Sequence, residues 1–292
     1  MFKRVLVPIA EDSDVEFVIR WSESVAEPFK TELLLLRVID PKDLRDGEAE
    51  TFLKRAASRV TYGRFNVRTI VTKGSIAEEI VRVAIEHDAD LITMATKTRL
   101  GVKGSMVNSV TRRVLHANKV PVLVLNSDGL KKSEYHSPKF VIVPLDGSNN
   151  SESVVEFATD FAGECGAKLV FVRVTNPTFP GLSTLAGKPM QGSKSSLYIR
   201  DFAKEYLNRF VESARENGIS ASLRTPSGST SACIAALAAE NINTLVVIGT
   251  QGIGGLKRTV VGSVADKVVR STSQPVLVIP VSSALVVGAG HK

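Results

Sequence analysis

The sequence predicts an α/β protein built from two tandem, doubly wound, open parallel sheets. Two observations support this prediction: the chain repeats itself at a fixed spacing, and each copy alternates short apolar strands with amphipathic helices. Near the start of each copy, matching residues lie 136 positions apart: Val7 with Val143, Pro8 with Pro144, and Arg37 with Arg173.

The repeat also defines the domain organisation. Later in each copy the shift becomes 154, as in Gly74 with Gly228, Ser109 with Ser263, and Pro121 with Pro275. The shift grows from 136 to 154, so the second copy carries 18 extra residues. The Gly, Pro and Ser content of residues 178–196 predicts that these extra residues form a long loop. The polar stretch 126–138 is rich in turn formers and predicts a linker. We expect one domain at 1–126 and another at 139–280.

The second copy shows the alternation element by element. Short apolar runs with β-branched residues predict strands, and longer stretches with helical spacing predict helices. In chain order these are strand 140–145, helix 150–165, strand 168–174, helix 199–217, strand 220–224, helix 231–240, strand 244–248, helix 263–271 and strand 276–279. Uninterrupted apolar strands are typical of a parallel sheet covered on both faces. The expected architecture is Rossmann-like, with strand order 3-2-1-4-5 in each copy.

Bulk composition narrows the class of protein. A length of 292 residues with 43% hydrophobic and 23% charged residues is typical of a globular protein, and each half is long enough to bury its own core. No apolar run approaches the roughly 18 residues of a membrane-spanning helix. The N-terminus lacks the apolar stretch of a signal peptide, so we expect a cytoplasmic protein without membrane insertion.

Other common site types find no support in the residue pattern. Cys165 and Cys233 form no CxxC pair, which favours reduced thiols over a disulfide framework. The four histidines show no metal-ligand spacing, so we expect no metal site built by the protein. The net charge of +7 is spread along the chain, and aromatic residues, at 6%, do not interleave with a basic run. Nucleic-acid binding is therefore not favoured.

A glycine-rich loop after the fourth strand of the second copy indicates phosphate binding. Gly249 and Gly252 follow the strand, and Gly262 and Ser263 stand at the start of the next helix. Glycines let the backbone approach a ligand closely, and the N–H groups and dipole of a helix N-terminus favour anions. The spacing fits neither a Walker A loop nor a dinucleotide GxGxxG, because Lys257 stands at the last glycine position of the latter.

A carboxylate is expected at the same edge of the sheet. In a 3-2-1-4-5 sheet, ligands bind between the first and fourth strands, at their carboxyl ends. Asp146 follows the first strand and would accept hydrogen bonds from ribose hydroxyls, while the glycine loop would face phosphates. Two plainer interpretations stay open at this point. Asp146 would belong only to an ordinary Asp-Gly-Ser turn, and the glycines would serve only as turn and loop residues without a ligand.

These residues resemble the universal stress protein (UspA-like) family, over nearly the whole chain as a tandem pair. The resemblance rests on the Val-x-Val-Pro opening strands, the Pro-Val-Leu-Val closing strands, and the G-2x-G-9x-G-S signature of the second copy. It implies binding of ATP (or ADP or AMP), with or without Mg²⁺, by one set of residues: Asp146 on the nucleoside, Val174 on adenine through its backbone, Gly249, Gly252, Gly262, Ser263 and Val264 on the phosphates, and Pro144 and Leu145 lining the pocket.

The first copy departs from the signature at every informative position. Ala10 stands in place of the aspartate, and Ala95, Thr98 and Asn108 replace the three glycines, although Ser109 remains. Alanine cannot accept a ribose hydrogen bond, and a β-branched threonine is strained at positive φ. We expect the first copy to lack a tight nucleotide site and to serve as a structural partner.

The resemblance also implies how the copies associate. Closing strands of this family pair in dimers, so we expect 121–125 and 275–279 to pair within the chain, while pairing of two chains into a homodimer stays open. The apolar tail 281–292 carries no diagnostic motif.

Three functions follow as hypotheses. The first is an ATP-binding regulatory protein of the stress response. The second is slow ATP hydrolysis in the same pocket, with Lys257 and Arg258 stabilising phosphate charge and no dedicated carboxylate beyond Asp146. The third is a scaffold that binds an unidentified protein partner or a non-nucleotide ligand through 178–196.

Overall fold

The computed structural model describes residues 2–10, 12–41, 48–61, 64–96, 109–117, 119–126, 137–175, 193–250 and 262–280. The first half of the chain builds five strands and four helices, with a 3₁₀ turn at Glu27–Phe29. These are β1 (Arg4–Pro8), α1 (Asp12–Ala26), β2 (Glu32–Ile39), α2 (Ala49–Ala57), β3 (Asn66–Lys73), α3 (Ile76–Glu86), β4 (Leu91–Thr96), α4 (Ser109–Ala117) and β5 (Val122–Asn126).

The second half repeats this order, with its first helix in two pieces. Its elements are β6 (Phe140–Pro144), α5 (Asn149–Glu152), α6 (Val155–Cys165), β7 (Lys168–Val172), α7 (Ser193–Glu216), β8 (Ala221–Arg224), α8 (Thr230–Ala239), β9 (Thr244–Gly249), α9 (Ser263–Ser271) and β10 (Val276–Ile279). None of the helices in the described ranges is both long and apolar enough to cross a membrane.

The two halves share one ten-stranded sheet. Its order is β3-β2-β1-β4-β5-β10-β9-β6-β7-β8, so each half has the predicted order 3-2-1-4-5 when followed from its outer edge. Strands within a half pair in parallel, whereas β5 and β10 pair antiparallel with Leu123 opposite Leu277. The expected pairing of the two closing strands within the chain is therefore present, and each strand covers an edge that the other would leave open.

Strand register confirms that the halves are structural duplicates. Arg4 pairs with Glu32 between β1 and β2, and Phe140 pairs with Lys168 between β6 and β7. Each residue of the second pair lies 136 positions after its counterpart in the first, which is the shift seen in the sequence. Residues of these strands that lie 136 positions apart therefore occupy equivalent places in the two halves.

Each face of the sheet has its own apolar core. Successive side chains of a strand point to opposite faces, so Val5 and Val7 pack with α1, α2, α6 and α7, while Leu6 packs with α3, α4, α8 and α9. Both cores run through the two halves, since the first contains Leu33 and Leu169 and the second contains Leu34 and Val246. Aromatic rings from both halves lie in contact in the first core, for example Phe2 and Phe161 with centroids 6.4 Å apart.

Two predicted helix boundaries were wrong. The predicted helix 150–165 is interrupted at residues 153–154, where the Ser153 hydroxyl donates to the Asn150 carbonyl at 2.9 Å and competes with the helical ladder. Helix α7 begins at Ser193 rather than 199, so the last four residues of the predicted loop 178–196 are helical. Residues 176–192 lie outside the described part of the chain.

Candidate functional site

The candidate site lies at the carboxyl end of β6, where the strand order reverses. Strand β6 is flanked by β9 on one side and by β7 on the other. In doubly wound sheets, the connections that follow two such neighbouring strands lead to opposite faces of the sheet. A crevice that can hold a ligand forms between the two connections. Pro144 ends β6 and Leu145 follows it, and both are buried at this end of the sheet.

Asp146 stands in a rigid turn directly after Leu145. Its Oδ1 accepts hydrogen bonds from the Ser148 backbone N–H at 2.9 Å and from the Ser148 hydroxyl at 2.6 Å. The Asp146 backbone N–H in turn donates to Ser151 Oγ at 3.2 Å. Gly147 has a φ of +88°, a conformation that favours glycine. The Asp-Gly-Ser turn interpretation is therefore correct as structure, and it fixes a half-buried carboxylate at the crevice.

Arg173, the residue that follows β7, lies against this turn. A Cβ atom added to Gly147 would lie 3.0 Å from Arg173 Nη1, so the guanidinium lies directly against the turn. The Arg173 guanidinium carbon also lies 4.4 Å from the centroid of the Tyr206 ring in α7. We did not assign a role to Arg173 from sequence, although its match to Arg37 marked it as a repeated position.

Tyr206 is held by a polar network of its own. Its hydroxyl donates to Glu152 Oε1 at 2.8 Å, and Arg209 pairs with the same carboxylate. Burial, followed by the hydrogen bond and charge of Glu152, raises the pKa of Tyr206 above its usual range. The phenol therefore stays neutral and acts as a fixed platform for Arg173. This platform depends on tertiary contacts and has no signature in the local sequence.

Val174 lies just beyond the end of β7, on the side of the crevice. Along β7 the N–H groups of Leu169 and Arg173 donate toward β8, whereas the Val172 carbonyl accepts from Leu145 beside β6. Because backbone polar groups alternate in direction along a strand, those of Val174 face the β6 side. Strand β6 ends at Pro144, opposite Val172, so no residue of β6 pairs with Val174.

The strand end and the helix start that carry the glycine signature are brought together by backbone hydrogen bonds. Gly249 is the last residue of β9 and lies opposite Ile279 of β10. The next residue, Thr250, donates its N–H to the Ile279 carbonyl at 2.9 Å and accepts a short hydrogen bond from the Gly262 N–H. Gly262 thus lies beside the end of β9, although eleven residues separate it from Thr250 along the chain.

The N-terminus of α9 presents backbone donors at this place. Gly262 is its N-cap and offers no side chain to satisfy them. The first intrahelical bond joins the Asp266 N–H to the Gly262 carbonyl at 3.0 Å, so the N–H groups of Ser263, Val264 and Ala265 have no partner within the helix. Ser263 and Val264 are exposed. Unpaired N–H groups at a helix start are suited to binding an anion.

Part of the predicted signature lies outside the described residues. Gly252 belongs to 251–261, as do Lys257 and Arg258, and their arrangement is not described. Within the ranges that are described, no group of three or more His, Cys, Asp or Glu residues could hold a metal ion. The described site therefore consists of a carboxylate turn, a buried strand end, a strand edge and a helix N-terminus.

Comparison with protein families assigns the chain to one of them. The model of the universal stress protein family matches residues 1–126 and 139–280. The chain belongs to the universal stress protein family. A curated universal stress protein of Methanocaldococcus jannaschii is 29% identical over 143 residues, which is 48% of this chain and 81% of that protein. A Staphylococcus aureus relative is also 29% identical over 143 residues, covering 48% of this chain and 83% of its own.

Solved structures support the tandem fold. A universal stress protein from Archaeoglobus fulgidus matches with a TM-score of 0.67 and 20% identity, covering 94% of this chain and 95% of its own. A Pseudomonas aeruginosa protein described as functionally unknown matches with a TM-score of 0.70 and 17% identity, covering 99% of this chain and 98% of its own. At these identities the likeness establishes the fold alone.

The first Usp domain builds the same end of the sheet without the carboxylate. Ala10 occupies the position of Asp146, and Arg37 donates to the carbonyls of Ile9 and Ala10, the former at 3.2 Å. Arg37 also lies over Phe52, with 5.0 Å from its guanidinium carbon to the ring centroid, as Arg173 lies over Tyr206. Ala95 belongs to β4, whereas Thr98 and Asn108 are outside the described residues.

Proposed function

We propose that this universal stress protein is an ATP-binding regulatory protein with a single nucleotide site, in the second Usp domain. The observation that carries the proposal is the convergence of Asp146 and the open N-terminus of α9 on the two strands that flank the reversal point, β6 and β9. A carboxylate suits ribose hydroxyls, and unpaired N–H groups suit phosphates.

The remaining predicted residues fit the same ligand. Pro144 and Leu145, which are both buried, would form an apolar floor, and the backbone of Val174, which points toward the β6 side, would contact the base. Gly249 and Gly262 allow a close approach of the ligand to the backbone. Ser263 and Val264 supply N–H groups for the phosphates, and Gly252, which lies outside the described residues, is assigned to the same side from its place in the glycine signature. Mg²⁺, where present, would be held mainly by the phosphate oxygens of the ligand.

The difference between the two domains supports a stoichiometry of one nucleotide per chain. The first domain has Ala10 in place of the carboxylate, and the Arg37 guanidinium donates hydrogen bonds to the carbonyls of Ile9 and Ala10 in the corresponding loop. In the second domain the corresponding Arg173 lies against Gly147, and the aspartate is present. We infer that the first domain supports the shared sheet and the second binds the nucleotide, whose occupancy regulates an unidentified partner.

Titration calorimetry on the full chain, after removal of co-purified nucleotide, tests this proposal. We expect ATP, ADP or AMP to bind with one equivalent per chain, in buffers with and without Mg²⁺. The variant Asp146→Ala should weaken binding, whereas the matched substitution of Ala10 by Asp tests whether the carboxylate is the missing part of the first site. Absence of binding by all three nucleotides would overturn the proposal, and two equivalents per chain would overturn the asymmetry.

A further inference from the structure

Strand β3 forms one outer edge of the ten-stranded sheet. It pairs with β2 and stands first in the sheet order, so no strand of the described ranges lies on its other side. It has eight residues, whereas β8, at the opposite edge of the sheet, has four. A long edge strand with unpaired backbone groups is a template for pairing with another strand.

The open side of β3 presents the backbone groups of Val67, Thr69 and Val71. The Gly74 N–H donates to the Ile39 carbonyl of β2 at 3.0 Å, and the backbone groups of successive residues point to alternate sides of a strand. Those of the three odd-numbered residues therefore point away from β2. No residue in the described part of the chain bonds to them. Because each residue has one N–H and one C=O, about six groups are available.

The side chains of this edge leave it open to pairing. Thr69 is exposed, Val71 is 38% exposed, and Val67 is half-buried. Proteins protect an edge strand against association by proline or by charges along it. Strand β3 contains no proline, and its central residues 69–72 are β-branched and uncharged. This composition favours strand pairing.

The exposed charges around β3 differ in sign between its two ends. Helix α2 packs on β2 and β3 and connects them, so it runs opposite to these parallel strands. Glu50 in its first turn therefore lies toward the carboxyl end of β3, and Lys54 and Arg55 in its last turn lie toward the amino end. Glu78 of α3 adds a carboxylate at the carboxyl end, and Arg68 adds a cation in the amino-terminal half of the strand.

A second copy of this chain complements this edge. Two β3 strands related by a two-fold axis run antiparallel, so the basic end of each lies beside the acidic end of the other. A peptide of one charge would complement only half of the edge. The sheet already contains an antiparallel junction of this kind, between β5 and β10, where the two halves of the chain meet.

We propose that the chain forms a homodimer in which β3 pairs antiparallel with β3 of a second copy, with Thr69 opposite Thr69. In this register Val67 of each copy lies opposite Val71 of the other. All the free backbone groups on the open side are then paired, which gives about six hydrogen bonds between the copies. Val–Val and Thr–Thr pairs directly opposite each other stabilise antiparallel strands.

The same register keeps like charges apart. Arg68 lies opposite Ile70 of the second copy, and Lys73 lies opposite Phe65, so no two cations of the strands face each other. The edge shares no residue with the proposed nucleotide site, and β1, β4, β5, β10 and β9 stand between β2 and β6 in the sheet. Dimerisation therefore does not depend on nucleotide binding.

Sedimentation equilibrium on the full chain, after removal of co-purified nucleotide, tests the dimer. We expect reversible dimerisation at concentrations between about 1 and 100 μM, to the same extent with and without ATP. A monomer at every concentration would overturn the proposal.

A proline on the open side of β3 tests which surface is used. Thr69→Pro removes an N–H that β2 does not need, and edge strands tolerate proline at such positions. It should weaken dimerisation at least about tenfold, because it removes hydrogen bonds at the centre of the interface. Thr69→Val keeps the N–H and should preserve the dimer. Circular dichroism and urea unfolding check that both variants fold.

Opposite charges at position 69 test self-pairing without proline. Thr69→Glu and Thr69→Lys each place two like charges directly opposite each other and should each weaken dimerisation, whereas an equimolar mixture of the two variants should dimerise. Both should fold, because Thr69 is exposed. A dimer that persists in Thr69→Pro and in Thr69→Glu would use another surface and would overturn the proposal.

Cysteine crosslinking tests the register. In Thr69→Cys the two introduced residues lie directly opposite each other, with Cα atoms about 5.5 Å apart, and should form a disulfide on mild oxidation. In Val71→Cys the Cα atoms would lie about 14 Å apart, which is too far for a disulfide. The wild-type protein, with Cys165 and Cys233, gives the background. Crosslinking of Val71→Cys without crosslinking of Thr69→Cys would overturn this register.

Discussion

The guanidinium of Arg173 lies over the ring of Tyr206, with 4.4 Å from its central carbon to the ring centroid, and also against the turn at Gly147. This contact connects strand β7, helix α7 and the turn that carries Asp146. The first domain repeats it with Arg37 over Phe52. Arg173 therefore acts as a positioning residue for the proposed ribose contact, and Arg37 provides a matched control.

Replacing Arg173 by Leu should weaken nucleotide binding and destabilise the fold modestly. The variant loses a cation–π contact, worth about 1 kcal/mol, and the support of the Asp146 turn. Arg37→Leu should lower the free energy of unfolding by a similar amount and leave nucleotide affinity unchanged. Calorimetry and urea unfolding measure the two effects separately. An equal loss of affinity in both variants would contradict a local role for Arg173.

The carboxylate of Asp146 should contribute through the ribose hydroxyls. We expect 2′-deoxy-ATP to bind the wild-type protein about tenfold more weakly than ATP, which corresponds to about 1.4 kcal/mol. In Asp146→Ala this difference should disappear, because the acceptor is gone. Ser148→Ala controls for loosening of the turn, since it removes the hydroxyl donor to Asp146 Oδ1 but keeps the backbone donor and the carboxylate. A persistent preference for ATP in Asp146→Ala would place the ribose elsewhere.

A side chain at Gly262 should block the phosphate side of the site. Its φ of −62° is accessible to any residue, so Gly262→Val is expected to fold, at a cost of about 1 kcal/mol for a poorer N-cap. The valine methyl groups would stand where a phosphate approaches the N–H groups of α9, so ATP binding should be abolished. Asn108→Val, at the corresponding position of the first domain, should bind ATP normally. Fluorescence titration with an ATP analogue measures both variants.

The shared sheet should make the two domains unfold together. Leu277 is 2% exposed and pairs with Leu123 across the β5–β10 junction. Leu277→Ala should lower the free energy of unfolding by about 2–5 kcal/mol, and urea unfolding should still show a single transition. Ile85→Ala, at a residue that is 65% exposed, should change it by less than about 0.5 kcal/mol. Two separate transitions in the wild-type protein would contradict coupling through the sheet.

The buried thiol of Cys165 should make stability fall at alkaline pH. Burial, together with the charges of Glu164 and Glu27, raises the pKa of Cys165 from 9.0 to about 12. Between those pH values the folded state retains a proton that the unfolded chain releases, so the stabilisation is complete below pH 9 and is lost as pH rises toward 12.

Urea unfolding at pH 8 and pH 10 measures this contribution. We expect Cys165→Ala to show a smaller alkaline loss than the wild-type protein, by about 1 kcal/mol at pH 10. Cys233→Ala serves as the control for removal of a thiol elsewhere. Identical losses in the wild-type protein and Cys165→Ala would contradict the raised pKa.

Much of the architecture could be predicted from the sequence because it depends on local patterns. Apolar runs ending at Pro144 and Gly249 predicted the strands, and the repeat predicted the order of each half-sheet, which the structure confirms. The helix break near Ser153 was missed because its side-chain hydrogen bond shifts a boundary without changing apolar periodicity. The start of α7 at Ser193 was missed because the Gly, Pro and Ser content of that stretch indicates a loop. The nucleotide contacts assigned to Asp146 and Val174 stay predictions.

By itself, the sequence determined that the chain is a duplicated α/β protein and that only its second copy keeps the aspartate and glycines, because these are properties of residue type and spacing. The tertiary structure decided which distant residues meet. It placed Gly262 beside Thr250 and Arg173 against Gly147. Such contacts depend on strand order, sheet twist and packing between helices, because these bring together residues that are far apart in the chain. A local sequence pattern contains no information about them.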